Sequence, residues 1–156
     1  MKLLPLLALL LFLAVPGPAP AAEESLTCPF FSVALPGDWK SITPPEETAA
    51  IGMTKAHFAN VSGTSSVALV VGPASGLDAK TIAQAYAQQY KASKEPVENN
   101  GQYSFAFVQQ KMPCQAWIAI QDDMFMFTAV MGNQREGLNF VRRYMKSADY
   151  PKLLPR

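Results

Sequence analysis

Charge of one sign, histidine and cysteine are all scarce in this 156-residue chain. Each scarcity removes a class of function. Thirteen Lys and Arg stand against twelve Asp and Glu, so there is no basic excess to displace counterions from nucleic-acid phosphates. Nor is there an acidic excess of the kind that keeps a tail disordered. A single histidine, His57, leaves little for histidine-based metal or acid–base chemistry. Two cysteines, Cys28 and Cys114, cannot build a four-cysteine zinc site or a cysteine-rich miniprotein. They do not form C-x-x-C, so thioredoxin-like exchange is not indicated. Gly72-Pro73-Ala74-Ser75-Gly76 lacks the lysine and the spacing of a phosphate-cradling loop. No G-x-S-x-G occurs either.

The amino terminus is more informative. Met1-Lys2 gives a positive start, and Leu3–Val15 is a 13-residue apolar run broken only by Pro5. A bilayer-spanning helix needs about 20 apolar residues, so the run is too short for an anchor. Ala19-Pro20-Ala21 then offers a small-x-small cleavage pattern. This order predicts a secretory signal peptide over 1–21, cleaved after Ala21. The mature chain, residues 22–156, would form one domain with twelve basic and twelve acidic side chains and no stable membrane anchor. It is expected to be periplasmic or secreted. In an oxidising compartment a Cys28–Cys114 disulfide is the simplest expectation, closing a loop worth about 4 kcal/mol in the chain-entropy model.

Along the mature chain, Phe31–Leu35 alternates as a half-buried strand, and Pro36-Gly37-Asp38 turns it into Trp39. Residues 43–47 read as a loop. Residues 49–58 read as a second strand, and valine-rich Ser66–Gly72 as a buried one. Asp78 is an N-cap, with Leu77 and Ile82 as a staple, for a helix presenting Ile82, Ala85, Tyr86, Gln89 and Tyr90. Three strands follow: one through Tyr103, Phe105 and Phe107, one over Ala116–Ile120 beyond a Met112-Pro113-Cys114 connection, and Met124–Met131 after an Asp122-Asp123 turn. Asn133 and Glu136 form a capping box for a second helix with an inner stripe of Leu138, Val141, Tyr144 and Met145. The order β-β-β-α-β-β-β-α predicts an α+β domain, an antiparallel sheet of about six strands with two helices packed on it.

The opening Phe31-Ser32-Val33-Ala34-Leu35-Pro36-Gly37-Asp38-Trp39-Lys40 resembles the start of the Mog1/PsbP-like superfamily, which includes DcrB-like envelope proteins and DUF1795 domains. The element order is similar along nearly the whole mature chain. The resemblance implies a binding or assembly factor, with photosystem II extrinsic subunits, Ran-binding proteins and secretion-effector chaperones among its members. It carries no catalytic residue. The cysteine pair departs from the family, and Cys28 lies too far downstream to be a lipid-anchor cysteine.

The expected function is therefore an exported, non-enzymatic binding or accessory protein of the cell envelope, with no cofactor and no nucleic-acid partner. A small hydrolase or metal-dependent enzyme, and an immunity or inhibitor protein, are the alternatives. The chemistry-bearing candidates each have a plain structural reading. Asp122-Asp123 suits a turn better than a cation site, since neighbouring strand residues point opposite ways. Arg142-Arg143 complements a helix dipole. Asn60-Val61-Ser62 is a formal glycosylation acceptor. Trp117, Met124, Phe125, Met126 and Phe127 are the residues of most interest. They either fill the core beneath the helices or leave one sheet face for an apolar segment of another envelope protein, or for a lipid.

Overall fold

The computed structural model describes residues 24–48 and 52–156. The predicted signal peptide and its cleavage point at Ala21 lie outside them. Ten strands and two helices follow in the order β1 (Glu24–Thr27), β2 (Ser32–Leu35), β3 (Trp39–Thr48), β4 (Met53–Asn60), β5 (Ser65–Pro73), α1 (Ala79–Gln89), β6 (Val97–Asn99), β7 (Gln102–Gln109), β8 (Met112–Gln121), β9 (Met124–Gly132), α2 (Gln134–Tyr144) and β10 (Met145–Lys146). Seven strands form an antiparallel sheet in the order β3-β4-β5-β9-β8-β7-β6, and β1-β2-β10 form a smaller one. The domain is α+β, as its sequence predicts.

The helices pack on opposite faces of the large sheet, and this explains the all-apolar β9. Side chains alternate along a strand. Met126 and Val130 therefore enter a core with Phe140 and Val141 of α2, while Phe125, Phe127 and Ala129 enter a second core with Ile82, Ala83 and Ala87 of α1. The small sheet adds Val33 and Leu35 to the α2-side core. The Pro36 carbonyl accepts from the Trp39 N–H at 2.9 Å, and that turn lays Trp39 on Phe140 with ring centroids 4.0 Å apart. Both helix starts are capped as expected: Thr81 N–H donates to Asp78 Oδ1 at 2.7 Å, and Glu136 N–H to Asn133 Oδ1 at 3.2 Å.

Several local expectations need correction. Residues 43–47 are not a loop but the continuation of β3, which slips register between Ser41 and Thr43 and between Thr43 and Glu46. β3 is an edge strand, where Pro44 and Pro45 can lack N–H donors. Met112-Pro113-Cys114 likewise belongs to β8, because the reversal comes earlier, at Gln110-Lys111, where both φ values are positive. Asp122 and Asp123 share that conformation and close the β8–β9 hairpin. Such paired left-handed residues make a turn whose twist matches the strands. Leu77 is exposed, so the staple does not form. The buried α1 residues are Ile82, Ala83 and Ala87, and Phe140 replaces Leu138 at the centre of the α2 stripe.

The disulfide is also overturned: both cysteines are free thiols. Cys114 is buried in the α1-side core, whereas Cys28 packs against the α2-side core. The seven-stranded sheet stands between them, and a disulfide requires Cα atoms within about 7 Å.

Candidate functional site

Helix α1 covers only part of its face. It lies over β7, β8 and β9, where Tyr86 stacks on Phe127 with centroids 4.5 Å apart and Tyr90 meets Phe107 at 4.6 Å. Among the described residues, no helix lies above β3, β4 and β5 on the same face. Their outward residues there include Ala59 and His57 of β4 and Ser66, Ala68 and Val70 of β5. A sheet face meant for water ordinarily carries long polar side chains. This one carries mostly short ones, so it is hollow.

Two concavities of about 310 and 320 Å³ lie on it, and both touch His57 and Met131. Together they form a trough. Ala59, Ser66, Ala68 and Ala129 line its floor, and Tyr90, Phe107 and Gln109 line the wall on the α1 side. The β3 side supplies Lys40, Ile42 and Thr43, and Val61 and Met112 stand at one end. Ile42, Val61 and Met112 are 49%, 63% and 37% exposed. They give the trough an apolar rim as well as an apolar floor.

His57 sits midway along it. It pairs across the ladder with Thr43 on one side and Ala68 on the other. The ring is half-buried, and its Nε2 is buried with no hydrogen-bond partner. Burial pushes the His57 pKa below 6.5, so the imidazole is neutral at neutral pH. An orphaned buried polar atom costs about 1–3 kcal/mol unless something satisfies it. Lys55, two residues earlier on the same strand, and Lys40, opposite Ala59, stand on the same face. Among the described residues, no carboxylate lines either hollow. His57 therefore has no acid beside it to orient it as a general base. Burial raises the Tyr90 pKa, which keeps its phenol protonated.

A larger hollow of about 440 Å³ lies over α2, lined by Asp38, Trp39, Arg135, Glu136, Asn139 and Arg143 among others. Its character is different. Acids and bases alternate around it, and Glu136 is already engaged. Asn60 Nδ2 donates to Glu136 Oε1 at 2.6 Å and to Thr64 Oγ1 at 2.7 Å, and Thr64 Oγ1 donates to Glu136 Oε2 at 3.0 Å. This is a lock between the β4–β5 turn and α2. It also removes the glycosylation reading, because Asn60 is buried and its amide protons are spoken for.

The five aromatic and methionine residues singled out from the sequence do not share an exposed face. Phe125, Met126 and Phe127 are buried, Met126 on the α2 side and the two phenylalanines on the α1 side. Trp117 and Met124 pack half-buried against the α2-side core. Two helices cover this strand, so its apolar faces are filled from within. Asp123 holds the adjoining loop, accepting from Gly76 N–H at 2.9 Å and, through its carbonyl, from Ala74 N–H at 2.7 Å. No cluster of three metal-ligating side chains occurs among the described residues. The trough itself was missed because alanine and serine form no motif. Its signal is present nonetheless in Ser66, Ala68 and Val70, which alternate with buried Val67, Leu69 and Val71 yet include no charged residue.

No family model and no curated protein matches the chain. Among solved structures it is similar to a crystal structure from Bacteroides thetaiotaomicron VPI-5482, at 13% identity over 83% of this chain and 50% of that one, with a TM-score of 0.48. The chain thus spans half the length of that protein. It is also similar to the solution structure of cyanobacterial PsbP (CyanoP) from Synechocystis sp. PCC 6803, at 9% identity over 86% and 98% of the two chains, with a TM-score of 0.47. At such identities the likeness concerns the fold alone.

Proposed function

We propose that this chain is an exported, non-enzymatic accessory protein of the cell envelope that holds a small, largely apolar ligand in the trough between α1 and β3. One observation carries the reading: among the described residues half of a sheet face has no helix above it, and that half is hollow, with a floor of short, mostly apolar side chains and charge only at its β3 side. The hollows have the dimensions of small-molecule sites, which begin near 300 Å³. Binding rather than catalysis is supported by the company His57 keeps, since lysines and alanines surround it where an enzyme would place a carboxylate or an activated nucleophile. Export is supported by the Leu3–Val15 run and the Ala19-Pro20-Ala21 pattern.

The test is native mass spectrometry of the protein purified from its own source. The reading predicts a small-molecule adduct that is lost in Ala68→Trp, where an indole fills the floor, with the melting curve and far-UV circular dichroism unchanged. Ser66→Phe serves as a second blocking variant should Ala68→Trp fold poorly. A stoichiometric polypeptide in place of the small molecule would contradict the reading, as would an adduct retained by both folded variants.

A further inference from the structure

We infer that the ligand of the trough is a single-chain amphiphile with one anionic head group, its tail on the alanine floor and its head on the Lys40–His57–Lys55 side. This rests on the reading of the trough as a ligand site and names the chemistry that site would select.

The trough is asymmetric across its width. One long wall is aromatic and uncharged, made by Tyr90 and Phe107 under the end of α1. The other carries every charged residue that lines either hollow, and all of these are lysines. Their spacing follows from the ladder. Lys55, His57 and Ala59 occupy alternate positions of β4, so each step is about 7 Å, and Lys40 stands opposite Ala59. His57 thus lies near the midpoint between the two lysines. Lysine places its charge on a flexible four-carbon stem, and both ammonium groups are on exposed residues free to swing toward that midpoint. An anionic head there would meet two cations beside the half-buried His57 ring. Glu46 stands opposite Lys55 on the edge strand and lines neither hollow.

The floor suits a chain rather than a ring system. Ser66, Ala68 and Val70 run along β5 for about 13 Å, beside Ala129 and Met131 of β9. Methionine adapts to an irregular apolar guest, and Met131 belongs to both hollows. The hollow that holds Lys40 also reaches the exposed apolar trio Ile42, Val61 and Met112, against which the end of a tail could rest.

The experiment is calorimetric titration of the purified protein with decanoate and decyltrimethylammonium below their micelle concentrations, with 1-decanol below its solubility limit, and with acetate. Decanoate is expected to bind at least tenfold more tightly than the cation, and acetate not measurably. Lys40→Ala/Lys55→Ala should erase the preference for decanoate over the cation and weaken decanoate about tenfold more than it weakens 1-decanol. Glu46→Gln should strengthen decanoate binding about two- to threefold. Equal binding of decanoate and 1-decanol, insensitive to the lysines, would overturn the anionic head group and leave the apolar trough intact. Acetate binding as tightly as decanoate would overturn the amphiphile. Binding of none of the probes would overturn both this inference and the trough as a ligand site.

Discussion

Gly137 in α2 tests how closely the helix lies on the sheet. Alanine in an open helix position is favoured over glycine by about 1 kcal/mol. Here a Cβ would collide with Val130 Cγ1 and stand 3.2 Å from its Cγ2 and 3.1 Å from Ser65 Oγ. Val130 is fully buried and β-branched, so its side chain has little freedom to retreat. Overpacking of this kind costs about 1–3 kcal/mol, and the clash should win. Phe140, one turn further on, would be lifted with the helix, loosening its 4.0 Å stack on Trp39. Gly137→Ala is therefore expected to lose up to about 2 kcal/mol net. In a urea titration followed by tryptophan fluorescence, the midpoint should fall by up to about 1 M with the slope unchanged. Adding Val130→Ala makes room for the new methyl, so the double variant should be less unstable than the two single losses combined. A Gly137→Ala protein more stable than the parent would refute the reasoning, because propensity would then outweigh the contact.

Thr128 is almost fully buried, and its Oγ1 has no hydrogen-bond partner. Thr128→Val keeps the shape and removes the orphan hydroxyl, so stability should rise by about 1 kcal/mol; a drop in the denaturation midpoint would mean that the hydroxyl is bonded. Without reductant, Cys28 should react with a thiol reagent in the folded protein, while Cys114, buried with its pKa raised by that burial, should react only on unfolding. An unfolded protein with no titratable thiol would contradict the free cysteines. Because burial holds the folded His57 pKa below the 6.5 of the unfolded chain, the unfolded state binds the extra proton first. Stability should then be greatest above pH 6.5 and fall as the pH drops through the window beneath it, and His57→Gln should flatten that stretch of the curve. An unchanged slope in the variant would assign the dependence to other groups.

The elements that alternate or carry caps were legible. Val33 and Leu35 alternate toward the core with Ser32 and Ala34, Asp78 and Asn133 start their helices, and Asp122-Asp123 close a hairpin, each through a local rule that tertiary packing does not override. What failed was non-local. Pro44-Pro45 read as loop because nothing in that stretch says it is an edge strand, where missing donors do no harm. Cys28 and Cys114 read as a bridge because compartment and number suggest pairing, whereas the intervening sheet forbids it. Phe125 and Phe127 leave two readings open, core or exposed face, because a strand apolar on both faces does not itself say that two helices from its own chain cover it; the core reading is the one that holds. Ser66 and Ala68 drew none, since short side chains become a trough only when Tyr90, Phe107 and Lys40 rise on either side of them.

Amide chemical-shift mapping with decanoate locates whatever binding occurs. The account predicts saturable shifts concentrated at His57, Ala59, Ser66, Ala68, Ala129 and Met131, with α2 unmoved. Shifts centred instead on Arg135, Asn139 and Arg143 over α2, or none at a saturating concentration of the probe, would contradict it.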